Sequence, residues 1–354
     1  MAENWLIDII PVECPNDVND TPETYRKAWE QYVGPTIPEN GDRENWLEQA
    51  ARLEAAVRIL PNPTVRVLGR SVKIPNAIDL PHYGERGLHP YIDQLFIESN
   101  ADRYPRFAGL ARYYGRDVEL VDCDTDKINQ TVRRMLVKHP DDGVFVKFVA
   151  KAKSGFDTAY VRPDGKFLDH SNDEFGEKPE WRPFDAFNWL GYGAAMWEGE
   201  PDAVLVQQHA AMRYEYRVHM IGGRAVAGAG CVERLTPADN HGDPVHPLME
   251  RTRGCGKLEQ RDLLAMKYME FAEQVHESIR EDVKGPYCMD LYTGEDGQPH
   301  VIELNAYPNC GLYALDMTSL LEAVRDNPGE FTADEHAREL TEKVEEMIEI
   351  AREL

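Results

Sequence analysis

The chain is poor in several features that would point to common functions. Its 354 residues contain no apolar run near the ~18 needed to cross a bilayer. Its six cysteines (Cys14, Cys123, Cys231, Cys255, Cys288, Cys310) are scattered without a Cys-x-x-Cys pair, which excludes a disulfide framework and a zinc module. Basic residues are scarce: 39 Lys and Arg against 63 Asp and Glu leave a formal charge of −24. That balance argues against broad nucleic-acid binding and against an anionic membrane surface. The start, Met1 to Pro11, is acidic with a short apolar stretch, so neither a signal nor a transit peptide is expected. A reducing, cytoplasmic setting fits these absences. No Ser/His/Asp or Cys/His nucleophile pattern is visible. With 42% hydrophobic residues the chain still buries a sizeable core, and its length suits two or three compact units.

The order of apolar patterns predicts an α+β protein, with mainly antiparallel sheets after a small α/β region. Residues 1–64 read as an N-terminal, largely helical segment, its best helix from Asp42 to Leu60 and stopped by Pro61-Asn62-Pro63. Residues 65–142 read as a small α/β domain. It has short runs at Val65–Leu68 and Val118–Val121, and helices near Tyr104–Tyr114 and Lys127–Lys138. From Val144 strand-like runs dominate, giving one unit over 143–210 and a second over 211–325. The polar loop 232–256 within the second unit is long enough to act as a lid. Lys257–Asp282 and a C-terminal segment over 326–354 read as amphipathic helices.

The most informative segment is Tyr287-Cys288-Met289-Asp290-Leu291, a turn, then His300-Val301-Ile302-Glu303-Leu304-Asn305. With Asp296-Gly297 as the two central turn residues, Asp290 falls opposite Glu303 and Cys288 opposite Asn305. Alternation puts Asp290, Glu303 and Asn305 on one face, and Met289, Leu291, Ile302 and Leu304 on the other. Two facing carboxylates repel unless a cation lies between them. Two carboxylates and an amide oxygen suit Mg²⁺, or Mn²⁺, completed by water and phosphate oxygens. Glu303→Gln and Asp290→Asn change charge but little volume, so both are expected to stop turnover and spare the fold.

Three further segments carry candidate ligands. Gly143 to Val149 is a buried-looking strand interrupted by Lys147, whose ammonium needs water or an anion such as a phosphate. Lys153 with the Ser154-Gly155 backbone could cover phosphates. Ala203 to His209 is an apolar strand ending in Gln207-Gln208-His209, an end that can present polar groups to an adenine edge. Next, Arg213 to Gly228 forms a hairpin about Gly222-Gly223 with Glu215, Arg217 and His219 on one face. An acid and an arginine there suit a ribose hydroxyl and a phosphate.

Taken in order, these segments resemble the ATP-grasp superfamily of ATP-dependent ligases, with the small phage-encoded ATP-grasp proteins the nearest likeness. The resemblance covers about Val144 to Asp316 and rests on Lys147, Gln207-Gln208-His209, Glu215 and Arg217, and Asp290…Glu303-x-Asn305. Two departures are plain: the glycine-rich phosphate loop is reduced to Ser154-Gly155, and glutamines stand where a hinge acid is often seen. The resemblance implies ATP held between two antiparallel subdomains. It implies Mg²⁺ on Asp290, Glu303 and Asn305, and nucleotide contacts from Lys147, Lys153, Gln207, Gln208, His209 and Glu215. Lys147 and Arg217 would supply charge during catalysis. The implied reaction is carboxylate–amine ligation through an acylphosphate, on a small-molecule or peptide carboxylate with an amine acceptor. A nucleotide-binding module without turnover, and a phosphotransferase on the same scaffold, stay open as alternatives, as does a homo-oligomer. Arg234, Arg251 and Arg253, in or beside the lid, could hold a substrate carboxylate.

Overall fold

A computed structural model describes residues 5–9, 55–56, 58–61, 63–67, 82–84, 99–149, 158–169, 180–195, 203–230, 262–307, 310 and 315–331. The chain divides into two compact units. One comprises Met1–Ala101, Tyr214–Tyr292 and Glu303–Leu354, the other Asp102–Arg213 and Thr293–Ile302. Among the described residues the strands form three sheets: one of β1 (Trp5–Ile9), β2 (Pro63–Val67) and β3 (His82–Gly84), one of four strands, and the largest of six. The expected α+β class with two antiparallel sheets is what the structure shows.

The largest sheet has the order β4 (Val118–Asp122), β9 (Ala203–Gln208), β5 (Val144–Phe148), β6 (Thr158–Val161), β7 (Lys166–Asp169), β8 (Glu180–Pro183), with every pairing antiparallel. Alternation in β5 and β9 sends Val144, Val146, Phe148, Val204 and Val206 to one face. Two helices, Thr125–Lys138 and Ala186–Ala195, contribute to the same core through Ile128, Val132, Met135, Ala186 and Trp189. The first begins at Asp124, whose carboxylate accepts from the Lys127 amide at 2.9 Å and so satisfies an otherwise orphaned donor. Trp189 stacks on Phe148, ring centroids 4.5 Å apart. Lys147 and Gln207 lie on the opposite face. β4 pairs with β9 in full register from Val118↔Gln207 to Asp122↔Ala203, so this sheet takes strands from both sides of residue 142.

The second antiparallel sheet runs β11 (Arg224–Gly230), β10 (Arg213–Ile221), β12 (Tyr287–Thr293), β13 (Pro299–Ala306). β10 and β11 are joined at Gly222-Gly223, both with positive φ (57° and 75°), as a tight two-residue hairpin requires. The helix Asp262–Ile279 packs on this sheet, and its Tyr268 stacks on Tyr216 at 5.2 Å. Gly228 is fixed by that packing, since a Cβ there would meet the Tyr216 ring and the Arg217 carbonyl. The helix Met317–Asp326 is capped by Asp316, which accepts from the Thr318 amide at 2.9 Å.

The first sheet is parallel, with β1 between β2 and β3. β1, β3, β7 and β8 carry too short or too polar a pattern to be read from the sequence, and the expected helix near Tyr104–Tyr114 is two 3-10 turns, Ala101–Arg106 and Ala108–Tyr113. Pro105, inside the first, withholds an amide from any longer α-helix. The loop 232–256, most of the helix expected over Asp42–Leu60 and most of the C-terminal segment 326–354 lie outside the described residues.

Candidate metal and phosphate site

The acidic hairpin is built differently at its turn than the sequence suggests. The Gly294 amide donates to Gln298 O at 3.0 Å and the Gly297 amide to Gly294 O at 3.0 Å, while Gly297 takes φ +71°. This is a three-residue loop, Glu295-Asp296-Gly297, closed by a left-handed glycine, rather than a two-residue turn. Carried unchanged along the strands, that register would face Asp290 with Ile302 and turn Glu303 to the other side. Yet the Asn305 amide donates both to Asp290 Oδ2 at 3.1 Å and to Glu303 Oε1 at 3.3 Å, so the two carboxylates share a face. A one-residue shift must therefore lie in between. Burial along β13 agrees: Val301 and Leu304 are buried, three apart instead of two. The Val301 and Ile302 carbonyls, which regular alternation would send to opposite edges, both accept from the Arg116 guanidinium, at 2.8 and 3.1 Å. The shift restores the face that the two-residue turn had implied.

On that face Arg217 grips Asp290 with two parallel bonds, Nε to Oδ1 and Nη2 to Oδ2, each 2.7 Å. Both side chains are almost wholly buried, 6% and 5% exposed. His219 lies two residues on, and its Nδ1 is 3.2 Å from Cys288 Sγ. Arg217 with Asp290 and His219 with Cys288 thus mark β10 and β12 as antiparallel neighbours. Cys310 Sγ donates to Ala306 O at 3.2 Å, and burial drives the Cys288 thiol well up from its ordinary pKa, so it stays protonated. Glu303 and Asn305 are half-buried and open the cluster to solvent at one side. Glu215, on the same face of β10 as Arg217, is half-buried.

The donor set fits a hard divalent cation. Two carboxylates and an amide converge within one hydrogen-bond network, and a half-turn of the Asn305 amide exchanges its NH₂ for its oxygen. Among the described residues no cluster of three or more His, Cys, Asp or Glu side chains could hold a metal ion. Arg217 weakens the pull of Asp290 on a cation, and an anionic phosphate beside the guanidinium offsets that loss.

In the other unit, Lys147 is half-buried on β5, its ammonium 5.6 Å from the Tyr104 ring centre, a cation–π contact. Tyr114, close by, is held protonated by burial, its pKa raised. The glutamines at the end of β9 are already engaged. Gln207 Oε1 accepts from Arg116 Nε at 3.0 Å, and Gln208 donates to Asp142 Oδ2 at 2.8 Å. β9 is a central strand, and the amides of Gln208 and His209 donate to Asp117 O and Gly143 O. These bonds tie the end expected to face adenine into the sheet, while the surface-accessible His209 ring packs on Tyr160 at 4.5 Å. That packing costs it hydration and lowers its pKa from 6.5. Lys153, Arg234, Arg251 and Arg253 lie outside the described residues.

One pairing and one functional-looking group escape the sequence. Arg217 is expected beside a phosphate, but its pairing with Asp290 is hidden, because nothing in the turns says that β10 and β12 are neighbours. Arg116 has no motif around it. Its one local signal is Gly115, at φ +61° with no room for a Cβ against the His300 ring.

No protein-family model matches this chain, and no curated protein matches it. Solved structures do. The crystal structure of D-cycloserine synthetase DcsG is similar at 14% identity and TM-score 0.48, over 91% of this chain and 99% of that one. A D-alanine–D-alanine ligase from Bacillus anthracis complexed with ATP is similar at 11% identity and TM-score 0.41, over 98% and 99%. A RimK domain protein ATP-grasp from Sphaerobacter thermophilus DSM 20745 is similar at 14% identity and TM-score 0.41, over 82% and 97%. At such identities and TM-scores the likeness assigns no role, and the chemistry of the site is argued from its own residues. Among the described residues no helix is long and apolar enough to cross a membrane.

Proposed function

We propose that this protein is an ATP-grasp ligase that uses Mg-ATP to join a carboxylate to an amine. The observation that carries this reading is the Asn305 amide bridging Asp290 and Glu303 beside the buried Arg217. Asp290, Glu303 and Asn305 would hold the ion, which when bound neutralises charge on the phosphate oxygens. Arg217 offers its guanidinium plane to the transferring phosphoryl group while Asp290 fixes its orientation, so little reorganisation is needed during reaction. Lys147, whose ammonium lies over the Tyr104 ring, would in this reading offer its charge to a nucleotide phosphate. A substrate carboxylate oxygen attacks the γ-phosphorus and ADP departs. The amine then attacks the acyl carbon, phosphate departs with the carboxylate oxygen, and the amine loses a proton to solvent. No protein nucleophile is consumed.

The test is an ADP-release screen over carboxylates and amines with Mg²⁺. Release that requires both partners, with an amide product and inorganic phosphate, supports the ligase. A stable phosphorylated product from a hydroxyl acceptor would replace it with a phosphotransferase. Tight ATP binding without ADP release under any pairing would replace it with a binding module.

A further inference from the structure

We infer that Arg116 is a positioning residue for the metal site, acting through the backbone just before Glu303. The inference rests on the ligase reading for what Glu303 does, but not for where Glu303 points. Arg116 uses four of its N–H groups: Nε to Gln207 Oε1 at 3.0 Å, Nη1 to Tyr114 O at 3.0 Å and to Val301 O at 2.8 Å, and Nη2 to Ile302 O at 3.1 Å. Val301 and Ile302 are the residues over which β13 shifts phase. Without the shift, the three-residue turn would direct Glu303 and Asn305 away from Asp290. A bulge leaves backbone groups outside the sheet ladder, and a rigid planar donor that spans two successive carbonyls is suited to hold it. Lysine keeps the charge but offers a single nitrogen, so it cannot reproduce the fork. Gly115 seats the Tyr114–Arg116 segment directly on β13, against His300, which fixes the direction from which the guanidinium approaches.

The experiment compares wild type, Arg116→Lys and Arg116→Gln. Folding is checked by near-ultraviolet circular dichroism. ATP affinity is measured without metal, Mn²⁺ affinity with ATP present is read by electron paramagnetic resonance, and hydrogen exchange is followed over residues 299–306. Both variants should keep wild-type ATP affinity without metal and lose Mn²⁺ affinity by about 10- to 100-fold, as when a group supporting a metal ligand is removed. Exchange at 301–304 should quicken, and lysine should rescue neither property fully. Folded variants with wild-type Mn²⁺ affinity, or equal losses of ATP and Mn²⁺ binding, overturn the positioning role. If wild type binds no Mn²⁺, the ligase reading fails by itself. Hydrogen exchange then decides Arg116: faster exchange upholds its hold on the bulge, and unchanged exchange refutes it.

Discussion

Replacing Asp290 by Asn removes one negative charge from beneath Arg217 without changing volume. In the ligand-free protein the guanidinium, 6% exposed, then faces a carboxamide whose oxygen can accept one of its two bonds while its NH₂ opposes the other. Breaking one side of a buried pair costs about 3–5 kcal/mol, because the surviving charge is uncompensated. Against a total stability of ~5–15 kcal/mol that is a large share. Glu303→Gln is the control. Glu303 is half-buried and accepts a 3.3 Å bond from Asn305, so the loss of that bond should cost about 0.5–1.5 kcal/mol. The geometry thus predicts a folded Glu303→Gln and a much less stable Asp290→Asn. Urea unfolding, followed by tryptophan fluorescence, should show a much lower midpoint for Asp290→Asn than for Glu303→Gln. The double variant Arg217→Met, Asp290→Leu should recover much of the loss, since it leaves no buried charge. Equal midpoints for the two single variants, or a double variant less stable than Asp290→Asn, would refute the reasoning.

Further outcomes follow from the same geometry. Glu303→Gln should fold normally yet release no ADP under conditions where wild type does. Lys147→Ala should weaken ATP binding about 10- to 100-fold, the worth of a charge-assisted bond of ~1.5–3 kcal/mol, measured by calorimetry. Burial holds His276, whose Nδ1 meets the Tyr287 hydroxyl at 2.9 Å, below its ordinary value of 6.5. The unfolded chain takes up that proton first, so this contribution to stability is complete above pH 6.5 and declines as pH falls through the lowered folded value. Unfolding midpoints should thus fall less steeply below pH 6.5 in His276→Phe than in wild type. Gly228→Ala should cost about 1–3 kcal/mol by overpacking against Tyr216, read from the same midpoints.

Local chemistry was legible where it is written in adjacent residues. Gly222-Gly223 announces its hairpin, the three-four spacing of Ile128, Val132 and Met135 announces a helix, and Asp290 with Glu303-x-Asn305 announces an acidic face. The hairpin was read correctly for an incomplete reason. The turn is one residue longer than Asp296-Gly297 suggests, and a bulge at Val301-Ile302 compensates for it. A bulge held by a distant arginine leaves no trace in the strand's own pattern. Neighbour relations between non-consecutive strands were equally invisible. β12 lies beside β10 across a long connection, so the Arg217–Asp290 pair could not be anticipated, nor could the pairing of β4 with β9. That Gln207 and Gln208 end a central strand, where side chains and amides bond within the sheet, is likewise not written in their own segment.

The claim on which the account turns is that Asp290, Glu303 and Asn305 form a cation site that works together with nucleotide. Titration of Mn²⁺ by electron paramagnetic resonance, with and without ATP, in wild type and in Glu303→Gln, tests it directly. Protein-bound Mn²⁺ should appear in wild type, strengthen with ATP and be lost in Glu303→Gln, whose unfolding midpoint falls only slightly. Equal Mn²⁺ binding by the two proteins would contradict it.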